Sequence, residues 1–221
     1  MTGSSLSPAP AVPAAAFRAA LLVGIAYALT RPWLDVPARA AHVPATLLYL
    51  AGLALAAAVF RALARGGGAA PEEVGPPPRR AGGRAADGVL VVLPAVLAVS
   101  YSWYVVAPLG FDLGAARETR PWSGEFFAMT AGYLLAAPVV EEYYFRQLLY
   151  RELQVVFGRA WLFVAANAVW FAAVHGPASI PGALAVGAGC ALLRWRTGGL
   201  ALPIAAHLLA NLALDVAGMF R

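Results

Sequence analysis

The chain has 221 residues, of which 61% are hydrophobic and only 12% charged. A soluble domain carries about 25% charged and 45–50% apolar residues, so this composition leaves too little polar surface to clothe a water-soluble globule. The net charge is +5 and every basic residue is an arginine; scattered between apolar runs rather than clustered on one face, these arginines argue against nucleic-acid binding and read as loop anchors that set membrane topology.

A bilayer-crossing helix needs roughly 20 mostly apolar residues, and seven runs qualify as candidates. The first covers about 14–30 and ends at Arg31-Pro32. Residues 1–13 hold no arginine or lysine, so this start does not read as a cleaved signal and the first run is expected to be a retained helix. The second spans about 43–60. Residues 61–87 are rich in Arg, Gly and Pro and read as a flexible loop, because such a segment buries too little apolar area to order itself. The third span is about 88–107, followed by a polar connector with Asp112, Arg117, Glu118 and Arg120. Pro121-Trp122 is a helix-start signal, and the fourth helix is expected to continue to Phe157. The fifth runs from about Arg159 to His175, the sixth from about Ile180 to Trp195, and the seventh from about Gly199 to Phe220.

With seven spans and the N-terminus inside, eleven arginines fall on the inner side and five on the outer, the positive-inside bias. The expected architecture is an all-α polytopic membrane bundle: N-terminal helices over 1–120, a core over 121–221, and an active site inside the bundle. The sixth span carries small residues at helical spacing, Ala183, Gly187 and Cys190 with Gly182 and Gly189 nearby, which let helices approach closely in lipid. Cys190 is the single cysteine; it excludes an internal disulfide and any multi-cysteine zinc site, and small-residue packing is its expected role.

Ionisable groups inside spans are costly and usually functional, and here they concentrate in three places after residue 120. Glu141 and Glu142 are adjacent and so point about 100° apart on a helix. Glu142 and Arg146 are i and i+4 and are expected to pair, leaving Glu141 to face elsewhere. Asn167, Phe171 and His175 form one stripe of the fifth helix, and His207 and Asn211 point into one volume from the seventh, with Asp215 a turn further along. Each has a plainer reading: interfacial glutamates, a structural histidine, interhelical hydrogen-bond glue. Geometry links them. If the fourth and fifth helices turn at Gly158, Glu141 lies 17 residues before the turn and His175 17 after it, so both stand roughly 25 Å from the turn at matching depth. His207 lies only nine residues after Gly198, somewhat shallower, and would need helix tilt to join them.

These residues resemble the CPBP family of intramembrane proteases, the CAAX prenyl proteases and bacteriocin-processing enzymes also called Abi. Its ordered motifs EExxxR, FxxxH and HxxxN are matched by Glu141, Glu142 and Arg146, by Phe171 and His175, and by His207 and Asn211, within about residues 122–215. The resemblance implies a glutamic-type endopeptidase. Glu141 would be the general base and His175 would help to hold the attacking water. His207 and Asn211 would stabilise the oxyanion; Glu142 and Arg146 would support the site from behind; Trp170 and Phe171 would line the substrate groove. No cofactor is expected. Two histidines and a glutamate are also a common zinc set, so Glu141, His175 and His207 are the alternative metal ligands, although no HExxH occurs. The implied substrates are membrane-anchored or lipid-modified proteins, cut at a CAAX-type end, a leader or a C-terminal sorting signal. The arginine- and alanine-rich composition suggests a bacterial inner (plasma) membrane protein with several passes. A catalytically silent scaffold or immunity protein of the same fold is one rival, although no motif position has decayed. A proton-coupled transporter is another, but the runs before residue 120 hold no intramembrane carboxylate and show no matching repeat.

Overall fold

The computed structural model describes residues 12–34, 42–66, 83–106, 131–175 and 179–219, and no strand occurs among them. Seven helical rods follow in chain order among these residues: α1 (Val12–Leu34), α2 (His42–Gly66), α3 (Gly83–Tyr101, running on as a π-helical turn Ser102–Val106), α4, α5 (Ala160–Ala173), α6 (Ile180–Thr197) and α7 (Ala201–Met219). Helix α4 is composite: a π-helical segment Ala131–Ala136, an α-helical one Ala137–Tyr143, a second π-helical segment Tyr144–Leu149, and a last α-helical one Tyr150–Phe157. The polar connector with Asp112, Arg117, Glu118 and Arg120, and the helix start at Pro121-Trp122, lie outside the described residues.

Two helices, at Val12–Leu29 and Ala85–Val105, are long and apolar enough to cross a membrane, and shorter apolar helices occur at Leu50–Ala62, Ala160–Ala173 and Ala201–Ala217. The outer surface is apolar: Phe17, Leu55, Tyr104, Leu135 and Trp161 are all largely exposed, a pattern that a water-soluble monomer avoids. The stretch at 61–87 is not loop throughout. Helix α2 runs on to Gly66 and α3 begins at Gly83, because Arg61, Ala62, Leu63 and Ala64 are good helix formers and Asp87 in the first turns of α3 is held by Arg196 of α6 at 2.7 Å.

The tight turns fall where glycine allows them. Gly158 closes α4 with φ +64° and Gly198 closes α6 with φ +70°, left-handed positions at which a Cβ is penalised. Pro181 sits in the first turn of α6, where its missing N–H costs no helical bond.

Helix α4 is the axis of the molecule. Its first half packs against α2 and α7, its second half against α1 and α5, while α3 lies along α6 and α7 and α6 packs against α5. The small residues of α6 explain its central place. A Cβ on Gly187 would stand 3.1 Å from the Ala168 backbone of α5 and from the Phe171 ring, and a Cβ on Gly189 would collide with the Pro94 ring of α3. Cys190 is fully buried, and its thiol donates to the Pro203 carbonyl of α7 at 3.4 Å. The expected packing role of α6 is therefore visible on three sides.

Candidate active site

Glu142, Arg146 and Asn167 have no exposed surface, and Glu141, His207 and Asn211 are also buried. Glu142 and Arg146 pair as their i, i+4 spacing requires, with Arg146 Nε 3.1 Å from Glu142 Oε2. An ion pair in so dry a place depends on further bonds to its remaining atoms, and here Arg146 Nη1 has no hydrogen-bond partner among the described residues. Arg146 Nη2 donates to the Gly187 carbonyl at 3.1 Å, which is within reach because Gly187 has no side chain. The guanidinium also lies 4.3 Å from the centroid of the Phe171 ring, stacked on its face.

Histidine 207 joins α7 to this pair. Its Nδ1 is 2.9 Å from Glu142 Oε1 and its Nε2 is 3.9 Å from Glu141 Oε2. This corrects the expectation that the adjacent glutamates face different environments. Their side chains do diverge, but an imidazole inserted between them presents one ring nitrogen to each. It also revises the part given to Glu142, which touches the His207 ring directly.

The depth of His207 has a structural reason other than tilt. Arg194, in the last turn of α6, donates to the Arg146 carbonyl at 3.1 Å and to Gln147 Oε1 at 3.3 Å. The α6–α7 turn is therefore level with about Tyr150 and not with Gly158. Counted from that level, Glu142 stands roughly 12 Å along α4 and His207 roughly 13 Å along α7.

The fifth helix contributes from the other side. His175 Nδ1 donates to the Phe171 carbonyl at 2.7 Å, which leaves Nε2 as the acceptor of the neutral ring. Glu141, His207 and Arg146 are the ionisable groups that act on this imidazole. Phe171 is buried beneath the cluster, with ring centroids 4.6 Å from His175, 5.4 Å from His207 and 5.2 Å from Phe145. The structure thus makes Phe171 the floor of the site and not an open groove wall, whereas Trp170 stands exposed on the outer surface of α5. The reason is rotational, since neighbouring residues on a helix point about 100° apart.

Several contributors were not legible as such. Asn167 donates through Nδ2 to the Phe145 carbonyl at 2.8 Å; that carbonyl already accepts from the Tyr150 N–H in the π-helical turn. The only sequence signal for Asn167 was its place in the Phe171–His175 stripe. Nothing in the sequence marked the Gly187 carbonyl or the buried Arg194. Among the described residues no three His, Cys, Asp or Glu side chains form a metal-binding group, the alternative zinc ligands Glu141, His175 and His207 included.

Paired carboxylates, two imidazoles and an arginine from three helices thus gather around the Phe171 ring. Residues 123–213 match the family model described as type II CAAX prenyl endopeptidase Rce1-like. The motif resemblance is shown over that segment. The Rce1-like family is a peptidase family, and the matched stretch contains every residue of the cluster just described. No curated protein and no solved structure matches the chain.

Proposed function

We propose that this protein is an intramembrane endopeptidase of glutamic type that crosses the bilayer several times and cuts membrane-anchored or lipid-modified proteins. The observation that carries this reading is the Glu141–His207–Glu142–Arg146 chain, with 3.9, 2.9 and 3.1 Å between successive partners, beside a half-buried His175 with an open Nε2. Among the described residues Glu141 is approached by no arginine, which leaves it the carboxylate to work as a base.

In the proposed reaction a water held between Glu141 and His175 Nε2 gives its proton to Glu141 as its oxygen bonds to the scissile carbonyl carbon. The carbonyl becomes an oxyanion. Collapse breaks the C–N bond, and Glu141 returns the proton to the leaving amine, so no co-reactant other than water is consumed. Asn211, one turn from His207, supplies a neutral N–H donor to the oxyanion. His207 donates its Nδ1–H to Glu142 at 2.9 Å, which orients the ring so that Nε2 faces Glu141.

The reaction is proposed to need no metal. A chelator should leave cleavage unchanged in reconstituted vesicles; loss with chelator and recovery with zinc would return the metal reading. The primary test compares protein termini in host membranes carrying wild-type protein or Glu141→Ala at matched abundance. Specific membrane proteins are expected to keep an extra segment only with the variant. Indistinguishable termini at good coverage would remove the peptidase reading.

A further inference from the structure

Five carboxylates lie among the described residues, and four have a basic partner. Asp87 pairs with Arg196, Glu152 with Arg18, Glu142 with Arg146 and His207, and Glu141 approaches His207. Asp215 has neither an ion pair nor a hydrogen bond among the described residues. It is half-buried in α7, an apolar helix, where an unpaired carboxylate is costly unless a partner arrives.

Its place is informative. His207, Asn211 and Asp215 stand at i, i+4 and i+8 of α7, one stripe of the helix. Along that stripe burial falls from His207 and Asn211, which are buried, to the half-buried Asp215, so the carboxylate marks the more open end of the line that leads to the oxyanion donors. Helix α3 and the first segment of α4 pack against α7, yet none of their described side chains gives Asp215 a cation.

We propose that Asp215 is a specificity-determining residue that takes the lysine or arginine side chain of the substrate polypeptide. This rests on the peptidase reading above. The offset follows from geometry. Helix rise puts Asp215 roughly 6 Å beyond Asn211 and roughly 12 Å beyond His207, and an extended peptide advances about 3.3 Å per residue. The basic residue therefore lies about two to four positions from the bond that is cut. Among the described residues nothing neutralises Asp215, so a charged partner brought by the substrate pairs with it in the complex and rewards the correct substrate.

The test takes the substrates defined by the termini that differ between wild type and Glu141→Ala, and measures their processing by Asp215→Asn. Substrates with Lys or Arg about two to four residues from the cut should be processed about tenfold more slowly, the loss expected for one charge-assisted contact. Neutral substrates should be unaffected and Asp215→Glu should restore the rate. Equal processing of both classes, or an equal loss in both, overturns the inference. Because Asp215→Asn could fail to accumulate, the reciprocal change is made in the substrate: replacing its basic residue by Gln should slow wild-type protein by the same factor, and an unchanged rate overturns the inference. If Glu141→Ala alters no termini at all, it is the peptidase reading that has failed, a result distinct from either outcome for Asp215.

Discussion

Glutamate 142 shows how much one side chain can hold. Its carboxylate faces Arg146 on one side and His207 on the other, and all three are buried. Glu142→Gln preserves the shape but removes the charge, leaving the guanidinium uncompensated and free to lose its place on Phe171. Removing one partner of a buried pair costs about 3–5 kcal/mol, and the His207 ring loses the acceptor that fixes which nitrogen carries the proton. Glu142→Gln is therefore expected to lower both the thermal midpoint and the turnover. Glu141→Gln should abolish turnover with little change in the midpoint, because no ion pair to arginine is lost. Thermal melts in detergent beside a cleavage assay separate the two; equal midpoints would show that the Glu142 pair does not support the fold. The sequence made the Glu142–Arg146 pair legible, since i, i+4 spacing dictates it. It hid the contact of His207 with both carboxylates, which spans 65 residues between Glu142 and His207 and depends on how two helices meet.

The element that sets this meeting is α6. Its glycines allow α5 and α3 to approach so closely that a Cβ at Gly187 would be 3.1 Å from backbone atoms of Ala168. Gly187→Leu should force α5 away from α6, pull the Gly187 carbonyl from Arg146, and cost about 1–3 kcal/mol as overpacking does. At Gly24 of α1 an added Cβ meets nothing within 4 Å, so Gly24→Leu is the matched control and should leave the midpoint within about 0.5 kcal/mol. Comparable loss at both sites would mean that close approach on α6 is not what holds the site. The small-residue pattern was readable from the sequence. The π-helical turns of α4 were not: they arise where carbonyls such as that of Phe145 find partners on another helix, and π-helical turns of this kind often accompany functional sites.

Across the whole molecule, α1, which precedes the matched segment, braces α4. The Tyr144 hydroxyl donates to the Leu22 carbonyl of α1 at 2.7 Å. Arg18 of α1 grips Glu152 of α4 through two contacts of 2.9 and 2.8 Å. Arg18→Ala leaves the largely buried Glu152 carboxylate unsatisfied, a loss of about 1–3 kcal/mol. The exchanged pair Arg18→Glu with Glu152→Arg should recover much of the thermal midpoint that either single change loses. A double variant no better than the worse single one would show that the contact contributes only through packing.

The sequence by itself determined that the chain is apolar and helical, that glycine ends α4 and α6, and that Glu142 pairs with Arg146, because each follows from composition or from the 3.6-residue period. Only the tertiary structure decided that the α6–α7 turn is drawn up to the level of Tyr150 by Arg194, that His207 lies between Glu141 and Glu142, and that Phe171 is a floor and not a wall. Those outcomes depend on the depth and rotation of one helix against another. Helix periodicity fixes which residues share a face but carries no information about the height at which two faces meet.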